Sequence, residues 1–223
     1  MADGCAMVVT KIERQKRHPQ RVNIFLDDAF AFGVHDAVLV KAGIAKGDRL
    51  TDDDVRRLQT LEEKKLARER AMRLLSHRLR SEKELRTRLL EQEFPPIVID
   101  EVIQQLREDG LINDAEFARS YIHDLQLRKP AGRRLLQRQL LLKGVAKHVT
   151  DEILEEAVPE GGEHTVALEA AVKHISRSRL RPVSTEKQRQ RVTQFLLRRG
   201  FAWPTISPVL KTLFPSSTSN IQE

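Results

Sequence analysis

Cysteine is almost absent from this chain, with Cys5 the only one in 223 residues. That excludes an intrachain disulfide and a thiolate metal cluster, and makes the cytosol the simpler expected location. Cys5 reads as a passive thiol near a chain end, because no basic partner that would lower its pKa is visible beside it. Aromatic residues amount to 4%, few for modules that read RNA by stacking. No stretch approaches 18 consecutive apolar residues, and the first residues lack the basic segment and apolar core of a secretion signal. The protein is expected to stay where it is made. Also missing are a phosphate-cradling glycine loop, a His-Glu-x-x-His pair and a Gly-x-Ser-x-Gly elbow. His123, His148, His164 and His174 fall in no metal-ligand spacing, and Glu62-Glu63 and Glu155-Glu156 read as wet faces of amphipathic helices. The expectation is a non-catalytic protein with no metal and no cofactor.

What is present is an ordinary globular balance, 40% hydrophobic and 32% charged, enough for a core and against disorder. The formal net charge is +7 and the excess is uneven. Residues 125–150 carry seven cations and no carboxylate: Arg128, Lys129, Arg133, Arg134, Arg138, Lys143 and Lys147. Residues 170–222 carry ten cations against Glu186 alone. A basic C-terminal half beside a nearly balanced N-terminal half points to an anionic partner.

Residues 8–34 read as β-structure. Val22, Ile24 and Leu26 alternate with Asn23 and Phe25 before Asp27-Asp28, and Phe30 and Phe32 alternate after it, which is a hairpin pattern. Val8, Val9 and Ile12 suit a third strand, and Asp36 to Ile44 a short helix ending before the Gly47-Asp48 turn. This cap is too small for a large core and is expected to dock on helices. Beyond Leu50 the punctuation is helical. Thr51 and three aspartates open a helix expected to run to His77. Ser81 with Glu84, Asn113 with Glu116 and Thr185 with Gln188 have capping-box spacing. Gly110, Gly144 and Gly200 sit where helices stop.

Aligning these signals exposes an internal repeat of a little over 50 residues. Leu85, Leu89, Leu90, Phe94, Val102, Ile103 and Leu106 fall opposite Leu136, Leu140, Leu141, Val145, Ile153, Leu154 and Ala157. The third set is Val192, Leu196, Leu197, Phe201, Val209, Leu210 and Leu213. Each unit reads as three short helices. Their opening helices hold Met72, Leu74 and Leu75, then Phe117, Ala118, Tyr121, Ile122 and Leu125, then Ala167, Ala171 and Ile175. The expected fold is mainly α: three tandem three-helix repeats forming an elongated, curved body, with an N-terminal β-hairpin and short-helix extension. The expected boundaries are 1–50 for the extension, 51–111, 112–160 and 161–215 for the repeats, and 216–223 for a disordered tail. Tyr121 and Trp203 are assigned to core or junction packing rather than to base stacking.

The run Arg80-Ser81-Glu82-Lys83-Glu84-Leu85-Arg86-Thr87-Arg88-Leu89 resembles the Arg-Ser-x-x-Glu-Leu-x-x-Arg-Leu motif of the RecX family of recombination regulators. Asp109-Gly110-Leu111-Ile112-Asn113-Asp114-Ala115-Glu116-Phe117-Ala118 is similar to that family's Gly-Leu-Ile-x-Asp-x-x-Phe-Ala junction. Arg133-Arg134-Leu135 through Lys143-Gly144-Val145 resembles its middle repeat. Together these cover residues 67–214, and the segment Arg21-Val22-Asn23-Ile24-Phe25-Leu26-Asp27 resembles the family's N-terminal extension. Two departures stand out. Glu93 replaces the glycine of the other two units, so the stop there is assigned to Pro95 and Pro96. Gln139 occupies a position where the family often has glutamate.

The resemblance implies a monomer that lies in the groove of a RecA filament on single-stranded DNA, bridges neighbouring subunits, contacts filament or DNA phosphates, and inhibits strand exchange, ATP hydrolysis and filament growth. A single cysteine and no heptad seam agree with a monomer. The residues assigned to partner or phosphate contact are Arg128, Lys129, Arg133, Arg134, Arg138, Lys143, Lys187, Arg189, Arg191, Arg198 and Arg199, since guanidinium and ammonium groups hold carboxylates and phosphates. The competing reading is an independent basic helical-repeat DNA-binding protein. An enzyme with an unrecognised helical site is a third reading, with no constellation to support it.

Overall fold

A computed structural model describes residues 6–159, 162–177 and 184–215. Cys5 and the tail expected at 216–223 lie outside them. The chain divides into two compact units, one of Met1–Arg78 with Leu85–Leu111, the other of Leu79–Glu84 with Ile112–Glu223.

The first unit begins with strands β1 (Met7–Arg14), β2 (Arg21–Leu26) and β3 (Ala29–His35), helix α1 (Asp36–Ala42) and a short strand β4 (Arg49–Leu50). They form an antiparallel sheet in the order β3-β2-β1-β4. The hairpin turn is Asp27-Asp28, with φ of 47° and 65°, the left-handed pair that matches strand twist in a two-residue loop. The alternating Val22, Ile24 and Leu26 point inward and pack with Val9, Val34, Val38, Leu50 and Leu58. β4 had no signal in the sequence because two residues cannot alternate, and its pairing of Leu50 with Met7 is tertiary.

Helix α2 (Asp52–Leu75) carries Leu58 and starts on a complete capping box. Asp54 N donates to Thr51 Oγ1 and Thr51 N donates to Asp54 Oδ2, at 3.2 and 2.9 Å. Glu62, buried on α2, accepts from His35 N at 2.7 Å and faces Arg21 Nη1 at 2.6 Å. The second contact lacks hydrogen-bond alignment, so it acts as an ion pair holding the sheet to the helix. Further along α2, Ala67 and Ala71 are fully buried while Met72 is exposed. Met72 therefore does not face the core as expected; at 100° per residue it falls beside the Ala67/Ala71 stripe. After α3 (Glu82–Leu90), helix α4 (Pro96–Glu108) lies against α2, tied by Arg68–Asp109 at 2.7 Å and by Lys64–Glu101. Leu85 and Leu89 of α3 and Val102, Ile103 and Leu106 of α4 are buried.

In the second unit, α5 (Asp114–Arg128), α6 (Arg133–Leu142) and α7 (Lys147–Ala157) enclose one core, built on Phe117, Ile122, Leu136, Leu140, Ile153 and Leu154. Helices α8 (Glu163–Arg177), α9 (Thr185–Arg198) and α10 (Trp203–Leu213) enclose another, built on Ala167, Ala171, Val192, Leu196, Phe201 and Val209. Asn113 caps α5, accepting from Ala115 N and Glu116 N at 3.0 and 3.1 Å. Thr185 does not cap α9. The first helical bond runs from Gln188 N to the Ser184 carbonyl, so Thr185 already lies inside the helix and Ser184 occupies the cap without a side-chain bond. Trp203 is not in the core either. It is the first residue of α10 and is 57% exposed, because at the mouth of the helix it precedes the buried stripe of Ile206, Val209 and Leu210.

The middle helix of every repeat ends in the same way. Glu93, Gly144 and Gly200 have φ of 63°, 88° and 81°, and the next residue's N–H returns to the carbonyl five positions back: Phe94 to Leu89, Val145 to Leu140 and Phe201 to Leu196. This is the left-handed helix stop. The stop at Glu93 is made by the residue itself as well as by the prolines after it. What docks there separates the three. A Cβ on Gly144 would lie 2.4 Å from Lys83 Cβ, and one on Gly200 2.4 Å from Leu135 Cβ and its backbone N. Glu93 is exposed and keeps a side chain. Gly144→Ala and Gly200→Ala are each expected to destabilise by about 2 kcal/mol or more, through left-handed strain and displacement of what is docked there, the Lys83 side chain at Gly144 and the Leu135 backbone at Gly200. Glu93→Gly is expected to stabilise by about 1 kcal/mol. Urea denaturation of the three variants checks both signs.

Candidate partner-binding face

Helix α6 has no carboxylate in its sequence Arg-Arg-Leu-Leu-Gln-Arg-Gln-Leu-Leu-Leu, and its N-cap Gly132 offers no side chain. The missing cap comes from α8. Glu163 Oε1 accepts from Arg133 N at 2.5 Å, and Glu163 Oε2 accepts from Thr205 Oγ1 of α10 at 3.2 Å. A carboxylate thus sits at the positive end of the α6 dipole. With Leu136 and Leu140 turned inward, Arg134 and Arg138 stand one turn apart on the opposite, exposed side.

The cations assigned to partner contact split into two sets. Arg133 is held inside its repeat: Nη1 donates to the Leu154 and Val158 carbonyls at 3.2 and 3.1 Å, and Nη2 pairs with Glu155 at 2.8 Å. It satisfies the carboxyl end of α7 and is not presented outward. Lys143 is held as well. Its Nζ bonds Glu84 Oε1 at 2.5 Å and lies 6.0 Å from the Tyr121 ring centre. Arg199 caps α9 and lies over the Phe195 ring at 5.4 Å. The remaining eight, Arg128, Lys129, Arg134, Arg138, Lys187, Arg189, Arg191 and Arg198, are exposed, and none has an ion-pair partner among the described residues. They lie at the end of α5, along α6, and at both ends of α9.

The repeat alignment places a second leucine in each middle helix, and the structure turns that leucine outward. In the doublets Leu89-Leu90, Leu140-Leu141 and Leu196-Leu197 the first leucine is fully buried and the second is 47%, 42% and 50% exposed. Adjacent residues on a helix lie 100° apart, so a doublet pattern alone does not say which member faces out. His174 lies flat on Phe195, with centroids 4.1 Å apart and planes at 3°. Burial, then the charges of Arg198 and Arg199, push its pKa below the ordinary 6.5.

Four family models match in order along the chain: the regulatory protein RecX N-terminal domain at residues 7–51, and the first, second and third RecX three-helix domains at 67–106, 113–154 and 166–210. The chain belongs to the RecX family. Proteins named regulatory protein RecX from Bacillus subtilis and Bacillus velezensis are 37% and 36% identical to it, over 91% of this chain and 75% and 76% of theirs. A protein of the same name from Listeria innocua is 30% identical over 96% of this chain and 77% of its own. A crystal structure of regulatory protein RecX superposes with a TM-score of 0.73 at 28% identity, covering 91% of this chain and 98% of the other. The RecX-family fold explains the three repeats and the strand-containing extension together. No helix among the described residues is long and apolar enough to cross a membrane.

Two outcomes follow from this geometry. Arg133→Ala strips two carbonyls and a carboxylate of their donor and is expected to cost about 1–3 kcal/mol, while Arg134→Ala stays within about 0.5 kcal/mol; chemical denaturation separates them. His174 binds its proton more weakly folded than unfolded, so its neutral form contributes stability above about pH 6.5 that is lost as the pH falls through the folded value. Melting temperature is expected to drop between about pH 7.5 and 5, and His174→Gln is expected to flatten that drop.

Proposed function

We propose that this chain regulates the RecA recombinase without catalysing a reaction, by binding RecA filaments on single-stranded DNA and restraining ATP hydrolysis, strand exchange and filament growth. The observation that carries the reading is the ordered match of all four RecX family domains along one chain. The outward cations Arg134 and Arg138 support it, because exposed guanidinium groups one turn apart on a helix suit carboxylates of a protein surface as well as phosphates. The protein acts in the cytosol, as a monomer.

A second reading, an independent DNA-binding helical repeat, draws on the same eight exposed cations. It requires tight binding to free DNA that falls steeply with salt. RecA ATP hydrolysis on single-stranded DNA, measured with this chain well below one molecule per RecA and in salt that suppresses its binding to free DNA, decides between them. Inhibition is the expected result, and Arg134→Glu with Arg138→Glu is expected to weaken it about tenfold, equivalent to about 1.4 kcal/mol. Absence of inhibition, with tight binding to free DNA, overturns the first reading in favour of the second.

A further inference from the structure

Charge does not recur from repeat to repeat on the outer faces of the middle helices, but leucine does. The outward positions Arg134, Arg138 and Leu141 of α6 correspond to Gln190, Gln194 and Leu197 of α9, and to Lys83, Thr87 and Leu90 of α3. Only the leucine is kept three times, and in each copy about half of the side chain is in water. Leu142, the next residue along, is 61% exposed, yet its counterparts are Glu91 and Arg198, so exposure by itself does not explain the recurrence.

The two cores of the second unit are built without Leu141 and Leu197. Leu89, Leu140 and Leu196 already fill the cores at 0% exposure, and the next residue points away from them. Single exposed apolar side chains are ordinary on a protein surface, so it is the recurrence at one position of three repeats, where the flanking outward residues change, that points to a contact role. The kind of partner follows from chemistry. Phosphates and sugars of a nucleic acid offer nothing for an isobutyl group, and an unpaired base is stacked by aromatic rings. An apolar pocket on a protein takes up a leucine, and near its rim Arg134 and Arg138 fit a carboxylate.

We infer that Leu141 and Leu197, with Leu90 as their counterpart on α3, are contact residues for a protein assembly that offers the same kind of apolar pocket more than once. The inference rests on the proposed function, which supplies such an assembly in the RecA filament. It makes the outer sides of α6 and α9 a protein-binding surface, with the exposed cations near the leucines, Arg134, Arg138 and Arg198, as its rim.

Leu141→Ser, Leu197→Ser and their combination, in the full chain, test it by co-sedimentation with RecA filaments and by affinity for free single-stranded DNA. Leu142→Ser serves as the exposed control. Each recurring leucine is expected to cost about tenfold in filament affinity, the pair more than either alone, while Leu142→Ser, the affinity for free DNA and the melting temperature stay unchanged. If the double variant binds filaments as tightly as the unaltered chain, or if Leu142→Ser weakens binding as much, the inference fails and the proposed function stands. If the unaltered chain does not bind filaments, the proposed function fails and the inference falls with it.

Discussion

The second unit depends on one arrangement made twice, in which the end of a middle helix is bonded to the start of the middle helix one repeat earlier. Ser81 Oγ donates to the Lys143 carbonyl at 2.6 Å, and Gly132 N donates to the Arg199 carbonyl at 2.8 Å. Both acceptors are the last-turn carbonyls that a helix leaves without partners; Gly132 N is itself an amide at a helix start, while at α3 the Ser81 hydroxyl stands between the two ends, accepting from Glu84 N at 3.2 Å. Each contact thereby removes two unsatisfied backbone ends. It requires the chain to turn left-handed immediately afterwards with no Cβ in the way, which is why Gly144 and Gly200 occupy those positions and why Glu93, with no such partner pressed against it, is tolerated.

Charged side chains at the junctions follow from the same geometry. Lys143 reaches Glu84 because the end of α6 lies beside residues Leu79–Glu84, and Glu163 caps α6 because the start of α8 lies beside Arg133. Arg134 and Arg138 are left pointing outward with Leu141. The basic excess therefore divides by position, some cations closing helix ends inside the unit and others facing water on the helices that the junctions hold in place.

Much of this architecture was legible in the sequence. The repeat, the Thr51 and Asn113 caps, the alternation in β2 and the glycine stops are local patterns, and each corresponds to a local element. What was not legible depends on partners distant in sequence. Arg133 and Arg134 are neighbours of identical chemistry, and only the Leu154 and Val158 carbonyls, more than twenty positions away, turn one inward. The same holds for Lys143, whose partner Glu84 lies 59 positions earlier. Met72 reads as core, and Trp203 as core or junction, because they are large and apolar, but helical phase turns them away from the core, and phase was also what hid the exposed second leucine of each doublet.

Because the junction bonds tie the end of α9 to the start of α6, the two repeats of the second unit are expected to unfold together. Native-state hydrogen exchange of the Gly132 amide, compared with core amides of α6 and α9, tests it most directly. The expected result is that all three exchange only through the global opening, with one free energy and one dependence on denaturant. A Gly132 amide that exchanges through a smaller opening, while the α9 core stays protected, would contradict it.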